Sequence, residues 1–256
     1  QIWRGGPGSH LPDNALQAME KLRQHPRIRL MPATRLVMCI SEGVYLLEEE
    51  QQASQLRAEK VIICTGAREL LLPFPGWTLP GVTGAGGLQA LVKGGVPVTS
   101  QRIVIAGSGP LLLASAHTAK QQGAQIVGLL EQQSWPAVAA MMAQLWRWPS
   151  KLGQALTLFN RHYRAGSYVT EALGDSRLEA LGDSRLEAVK IRQGGQEKTI
   201  SCDRLACGFG LVPNLQLAEL LGAEHDNDGI FVDQHQRTQL PGIYAAGECT
   251  GIGGSE

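Results

Sequence analysis

The sequence carries no excess of either charge: 23 Lys and Arg stand against 23 Asp and Glu. A protein that tracks a phosphate backbone needs a basic surplus, so the balance argues against a nucleic-acid binder. It argues equally against a polybasic membrane-surface protein. No apolar run reaches the roughly 18 residues of a membrane span. There is no disulfide framework either. The five cysteines, Cys39, Cys64, Cys202, Cys207 and Cys249, are odd in number and scattered, so a reducing cytoplasm is the expected location. No CxxC is present for a dithiol relay, and no HExxH or close histidine pair for a metal. No Ser/His/Asp context is evident. No catalytic residue stands out, and no metal is expected.

What is abundant is glycine, 31 of 256 residues, against a usual ~7%. The glycines cluster without a three-residue period, so they read as turns and close-approach loops. Hydrophobic residues make up 43% of the chain, which excludes disorder. The length allows one large domain or two small ones, with a core that needs no staples.

Along the chain, apolar spacing predicts a helix from Asp13 or Asn14 to Leu22, ended by His25-Pro26. Strand-like runs follow at Ile28–Met31, Arg35–Ile40 and Val44–Glu48, with a polar turn at Glu49–Ser54. Val61–Cys64 is a compact apolar run of the kind buried on both faces. Residues 71–87 form a Pro- and Gly-rich connection, and Gly87–Lys93 a short helix. Residues 134–165 look helical, with Trp135, Trp146 and Trp148 expected in core or interface packing. LGDSRLEA occurs twice, at 173–180 and 181–188. One extra copy is no solenoid, and it reads as a tandem duplication that a hairpin or loop could absorb. The second copy leads into a hairpin, Leu186–Arg192 and Lys198–Ser201. Further strands are expected at Leu205–Gly210, Gly229–Asp233 and Gly242–Glu248, with a helix at Leu215–Leu221. Cys202 and Cys207 are expected to be buried strand thiols.

The clearest chemistry lies between Ile103 and Glu131. A strand, Ile103–Ala106, runs into Gly107-Ser108-Gly109-Pro110, then a helix over Leu111–Gln122 and a second strand over Gln125–Leu130. Glycines there let a diphosphate approach bare amides at a helix N-terminus. Glu131 closes the second strand, where an acid accepts from ribose hydroxyls and repels a 2′-phosphate. The position that usually carries a third glycine holds Leu112, which is expected to push the helix outward and alter the pocket. The alternative is the same fold with no nucleotide bound. Thr65-Gly66 and Gly247-Glu248 also end apolar strands. Glu248 could meet a polyol hydroxyl there, although a lone surface glutamate would more often do nothing.

Taken together, these segments resemble a family. Val61-Ile62-Ile63-Cys64-Thr65-Gly66-Ala67 looks like the "ATG" strand of two-dinucleotide-domain flavoproteins of the pyridine-nucleotide oxidoreductase type. Gly208-Phe209-Gly210-Leu211-Val212-Pro213-Asn214 looks like their "GxxPN" return strand. Ile243-Tyr244-Ala245-Ala246-Gly247-Glu248 looks like their second flavin motif. The order of the motifs covers nearly the whole chain. Gly109–Ala114 and Gly247–Gly254 resemble a branch holding the alpha-type subunits of amine and imino-acid dehydrogenases, opine oxidases and a hydrogen cyanide synthase. In that branch Leu in place of the third glycine is ordinary.

The resemblance implies an α/β fold of two interleaved Rossmann-like dinucleotide-binding domains. The FAD domain would be discontinuous, residues 1–97 and 229–256, with an inserted NAD(P)-type domain at 98–228. Thr65, Gly66, Gly247 and Glu248 would touch FAD. Gly107, Ser108, Gly109, Pro110 and Glu131 would touch NAD or another adenine nucleotide. The implied activity is an FAD-dependent oxidoreductase subunit that oxidises an amine, imino acid or opine through a partner flavoprotein subunit in a hetero-oligomer. The alternatives are a stand-alone NAD(P)H-dependent flavin reductase and a non-catalytic assembly subunit. Gln1-Ile2-Trp3-Arg4-Gly5 looks like the tail of the family's first nucleotide cradle, so the chain is expected to be an internal fragment without its ADP-binding unit.

Overall fold

The structure is a computed structural model and describes residues 13–144, 162–174 and 184–253. Trp146, Trp148, most of the first LGDSRLEA copy and the Gln1–Gly5 motif lie outside the described residues. In chain order the elements are α1 (Asp13–Gln24), β1 (Arg35–Ser41), β2 (Val44–Glu48), β3 (Ala53–Arg57), β4 (Val61–Ile63), β5 (Ala67–Glu69), β6 (Val82–Gly84) and α2 (Ala85–Lys93). They continue with β7 (Arg102–Gly107), α3 (Pro110–Gln121), β8 (Gln125–Glu131), α4 (Trp135–Gln144), β9 (Tyr163–Ala165) and β10 (Ser167–Gly174). The last are β11 (Leu186–Gln193), β12 (Gln196–Ser201), β13 (Arg204–Gly208), β14 (Leu211–Pro213), α5 (Gln216–Leu221) and β15 (Ile243–Ala245).

The chain divides into two compact units, one spanning 69–210 and the other 13–68 with 211–253. The changeovers therefore fall at 68/69 and 210/211, not at the expected 97/98 and 228/229. The physical reason is β6 and α2. β6 joins β13 in parallel, with Cys207 opposite Gly84, and α2 shares a buried cluster with α3 through Leu88, Val92, Leu112 and Ala116. These elements cannot be parted from the 69–210 unit without opening its core.

That unit is a five-stranded parallel sheet in the order β6-β13-β7-β8-β9. Alternate residues of a strand face opposite ways, and both faces of β7 are covered. Ile103 and Ile105 meet the helices α2 and α3. Val104 and Ala106 meet an antiparallel sheet, β10-β11-β12, through Val189 and Ile191. Every residue from Ile103 to Gly107 is buried, which is why this strand reads as an unbroken apolar run. At the amino ends of β7 and β13, Arg102 and Asp203 lock together. Nη2 donates to Oδ1 at 2.7 Å, Nε to Oδ2 at 3.2 Å, and the Asp203 N–H to the Arg102 carbonyl at 2.8 Å. The guanidinium holds the Asp203 carboxyl below the usual carboxylate range.

The other unit holds the antiparallel meander β1-β2-β3 and a parallel pair, β4 with β15. Its core is Ile63, Ala218, Ile230, Ile243, Ala245 and Cys249. α5 ends on Gly222 in the left-handed conformation, a usual helix stop.

Several expectations are corrected. Residues 28–31 form no strand, and Ile28 and Leu30 stay exposed. The expected turn at 49–54 runs into β3, whose side chains are mostly exposed, so it shows little apolar signal. Residues 229–233 make only an isolated bridge, His225 to Ile230. The end of the expected helical stretch, 163–165, is β9, drawn in by parallel pairing with β8. Of the core or interface packing expected for Trp135, its 56% exposure overturns the core placement. Cys202 sits in the turn between β12 and β13 rather than in a strand.

Candidate functional site

Each unit contains one cluster of the expected site residues. In the 69–210 unit, β7 enters the glycine turn beside β13, with Gly107 opposite Gly208. A side chain at Gly107 would run into the Gly208 carbonyl. The Ser108 N–H donates to that same carbonyl at 2.9 Å. Gly109 then takes φ +86°, and a Cβ there would meet nothing within 4 Å. Its α-carbon therefore faces open space at the start of α3, as close approach of a ligand to backbone requires.

The polar partners are less open than the sequence implies. Glu131 is 2% exposed. Its Oε2 accepts the Gly109 N–H at 3.0 Å and its Oε1 the Gln133 N–H at 2.9 Å. Each oxygen keeps a lone pair, but the carboxylate also braces the loop. Pro110 brings no N–H, so Leu111 offers the first amide of α3 without a partner among the described residues. α2 makes an instructive contrast. Its first amides, Gly86 and Gly87, already donate to Glu69 at 2.7 and 2.9 Å, so that helix start is occupied by the chain's own anion. Sequence reasoning missed Glu69, which carries no local signal.

Leu112 does not behave as expected. It is 1% exposed, and its Cδ2 lies only 2.8 Å from where a Gly208 Cβ would stand. The missing glycine on the helix is thus offset by a glycine on the neighbouring strand. The leucine fills that space instead of pushing the helix away.

In the other unit, β4 and β15 run parallel with Ala245 opposite Ile63. Thr65-Gly66 and Gly247-Glu248 therefore emerge side by side at the carboxyl end of one small sheet. The Ala246 N–H donates to the Ile63 carbonyl at 2.9 Å, carrying the pairing to the edge of the turns. Gly247 has φ +85° with open space where a side chain would be. Glu248 is exposed and has no hydrogen bond among the described residues. Thr65 is committed differently. Its hydroxyl donates to the Asn214 carbonyl at 2.7 Å, and the Asn214 amide returns a bond to the Thr65 carbonyl at 2.9 Å. Arg68 reaches Asn214 Oδ1 at 3.2 Å. Asn214 is the residue that holds the turn, and its signal was the "PN" of the return strand. Cys249 is fully buried beside the Ile63 and Ala246 carbonyls.

A cavity of about 1020 Å³ lined by Cys39, Tyr45, Arg57, Pro241 and Ile243 lies at the amino end of β15, the opposite end of that strand from Gly247. Burial pushes the thiols of Cys202 and Cys207 up to about 12 each, so neither is a nucleophile. Among the described residues no cluster of metal-binding side chains occurs, and no helix is long and apolar enough to cross a membrane.

Each unit thus carries a glycine turn at the end of a parallel strand, one braced by the buried Glu131 and one followed by the exposed Glu248. The model of the pyridine nucleotide-disulphide oxidoreductases matches residues 8–255. The chain belongs to this family. Its members typically bind FAD and NAD(P). Hydrogen cyanide synthase subunit HcnB of Pseudomonas protegens is 31% identical over 84% of this chain and 48% of its own length. An opine oxidase subunit of Rhizobium meliloti is 31% identical over 84% and 49%. Rhodocoxin reductase of Rhodococcus erythropolis is 30% identical over 84% and 48%. The chain thus spans about half the length of these relatives. The crystal structure of T. acidophilum thioredoxin reductase shares the fold, with TM-score 0.67 at 20% identity over 94% of this chain and 73% of that one.

Proposed function

We propose that the unit built on β4 and β15 holds FAD at Thr65, Gly66, Gly247 and Glu248. The β7–α3–β8 cluster takes a second adenine nucleotide at Gly107, Ser108, Gly109, Pro110 and Glu131. The observation that carries this reading is the parallel register of β4 and β15, which sets both glycine turns and Glu248 at one sheet edge. Bound flavin supplies the hydride acceptor. The protein's part is to bind and orient. Glu248 accepts from polyol hydroxyls, and Gly247 lets backbone come close. In the second cluster the Leu111 amide and the start of α3 meet a diphosphate, and the free lone pairs of Glu131 meet ribose hydroxyls. Its charge disfavours a 2′-phosphate, which favours NAD over NADP.

In this reading the whole protein is one subunit of a hetero-oligomeric oxidoreductase. It acts on an amine, imino acid or opine through a partner flavoprotein subunit. The likeness to HcnB and to the opine oxidase subunit supports it. A stand-alone NAD(P)H-dependent reductase is the second reading, favoured by the likeness to rhodocoxin reductase. The test uses the full-length protein. Glu248→Ala should lose most of the flavin absorbance while still unfolding cooperatively, at a lower temperature because the bound cofactor no longer stabilises the fold, and unchanged flavin content would refute the site. Anaerobic NADH that bleaches the flavin without any partner would select the second reading. Bleaching only by amine plus partner would select the first.

A further inference from the structure

Trp135 is the first residue of α4, four positions past Glu131, and it leaves 56% of its surface exposed. Tryptophan is usually well covered, so an indole displayed on a helix start needs a reason. It is not loose. Its ring leans on Tyr163, centroids 5.7 Å apart and planes tilted by 45°. Tyr163 belongs to β9 and stands opposite Leu129. Alternate residues share a face, so Tyr163 and Glu131 project to the same side of the sheet, the side that α3 covers through Leu112 and Ala116. The connection from Glu131 to Trp135 is pinned at its middle. Gln133 donates to Glu131 through its N–H, and its carbonyl accepts the Gly166 N–H at 2.9 Å. Burial and the nearby Glu131 charge push the Tyr163 hydroxyl upward, which agrees with that placement. One rim thus gathers a carboxylate with spare lone pairs, the start of a helix and an exposed indole backed by a second aromatic ring.

A nucleoside carries its base on the carbon next to the 2′-hydroxyl. A ribose held by Glu131 therefore puts its base on this rim. We propose that the exposed Trp135 ring is the stacking platform for the purine base of the nucleotide bound at the glycine turn, with Tyr163 as the residue that positions the indole. This rests on the adenine-nucleotide reading of the β7–α3–β8 cluster. Stacking uses the face of the base and not its edge, so it grades bases by ring size. The platform accordingly favours a purine over a pyrimidine and discriminates little between purines.

The test is calorimetric titration of the full chain with ADP and, separately, UDP. The proteins are wild type, Trp135→Ala and Trp135→Phe, each checked by its melting curve. Trp135→Ala should raise the Kd for ADP by about 10- to 100-fold, the range that removal of a base-stacking ring gives. It should raise that for UDP less, so that the preference for ADP shrinks. Trp135→Phe should recover most of the ADP affinity. An ADP affinity within about twofold of wild type in Trp135→Ala, or an equal loss for both nucleotides, overturns the proposal while leaving the nucleotide site standing. Failure of the wild type to bind ADP at all overturns the nucleotide reading and this inference with it.

Discussion

The fit between Leu112 and Gly208 makes a quantitative prediction. Gly208 lies on β13, and its φ is not in the left-handed region, so alanine is allowed there by the backbone. The obstacle is side-chain space. The new Cβ would stand 2.8 Å from Leu112 Cδ2 and 3.3 Å from the Ala85 Cβ. Overpacking of this kind costs about 1–3 kcal/mol, and the lower chain entropy of alanine returns about 0.4–1 kcal/mol. Gly208→Ala should therefore destabilise by about 1–2 kcal/mol. Leu112→Ala removes a side chain that is 1% exposed and should cost about 2–5 kcal/mol. In the double variant the main clash is gone and the added methyl fills part of the cavity. Gly208→Ala should then be neutral or slightly stabilising, giving an interaction energy of about 1–3 kcal/mol in favour of the double variant. Equilibrium urea unfolding of the four proteins measures this cycle. Additivity within about 0.5 kcal/mol would mean that the leucine and the strand glycine are not paired, and the account of the missing helix glycine would fail.

Excision of residues 173–180 should leave the fold intact. Gly174 pairs with Leu186, so the connection now holds residues 175–185. After excision Leu181-Gly182 takes the place of Leu173-Gly174, and Asp183-Ser184-Arg185 remains as a three-residue turn, a common hairpin length. The shorter loop should stabilise by about 1 kcal/mol, and a loss of cooperative unfolding would refute the hairpin assignment. The Arg102–Asp203 pair predicts an acid limb. A depressed folded pKa contributes stability that is present above the unfolded value of about 3.9 and lost as pH falls through the lower folded value. Asp203→Asn should flatten that limb in a pH series of urea midpoints, and an unchanged limb would assign it elsewhere. In alkylation followed by peptide mass spectrometry at neutral pH, exposed Cys64 should be labelled in the folded protein. Buried Cys202 and Cys207, both pushed up to about 12, should label only after denaturation. Early labelling of either would contradict their burial.

The elements that carry the two clusters were legible because their signals are local. β7, α3 and β8 are apolar runs or amphipathic periods punctuated by glycine, and they lie within a residue or two of their expected limits, while β15 stops three residues short of its expected end. The weak points were short or polar segments. β6 and β9 hold three residues each, too few for a period, and exist because β13 and β8 offer an edge. β3 is largely exposed and has no apolar alternation to read. Residues 28–31 have the composition of a strand but no partner strand.

By itself the sequence determined the α/β class, the strand–glycine–helix turn at Gly107–Pro110 and the placing of Glu131 at the end of one apolar strand and of Glu248 just past another. Turn chemistry and side-chain period are properties of neighbouring residues, and they survive translation into a string. Only the tertiary structure decided that Leu112 is accommodated by Gly208, that Thr65 is tied to Asn214 at 149 residues' separation, and that Glu69 fills the start of one helix while α3 carries no side-chain cap. It also decided where the two units divide. Those outcomes are contacts between segments far apart in the chain. Their energies come from shared space and hydrogen-bond partners that exist only once the segments have met, so no local pattern records them.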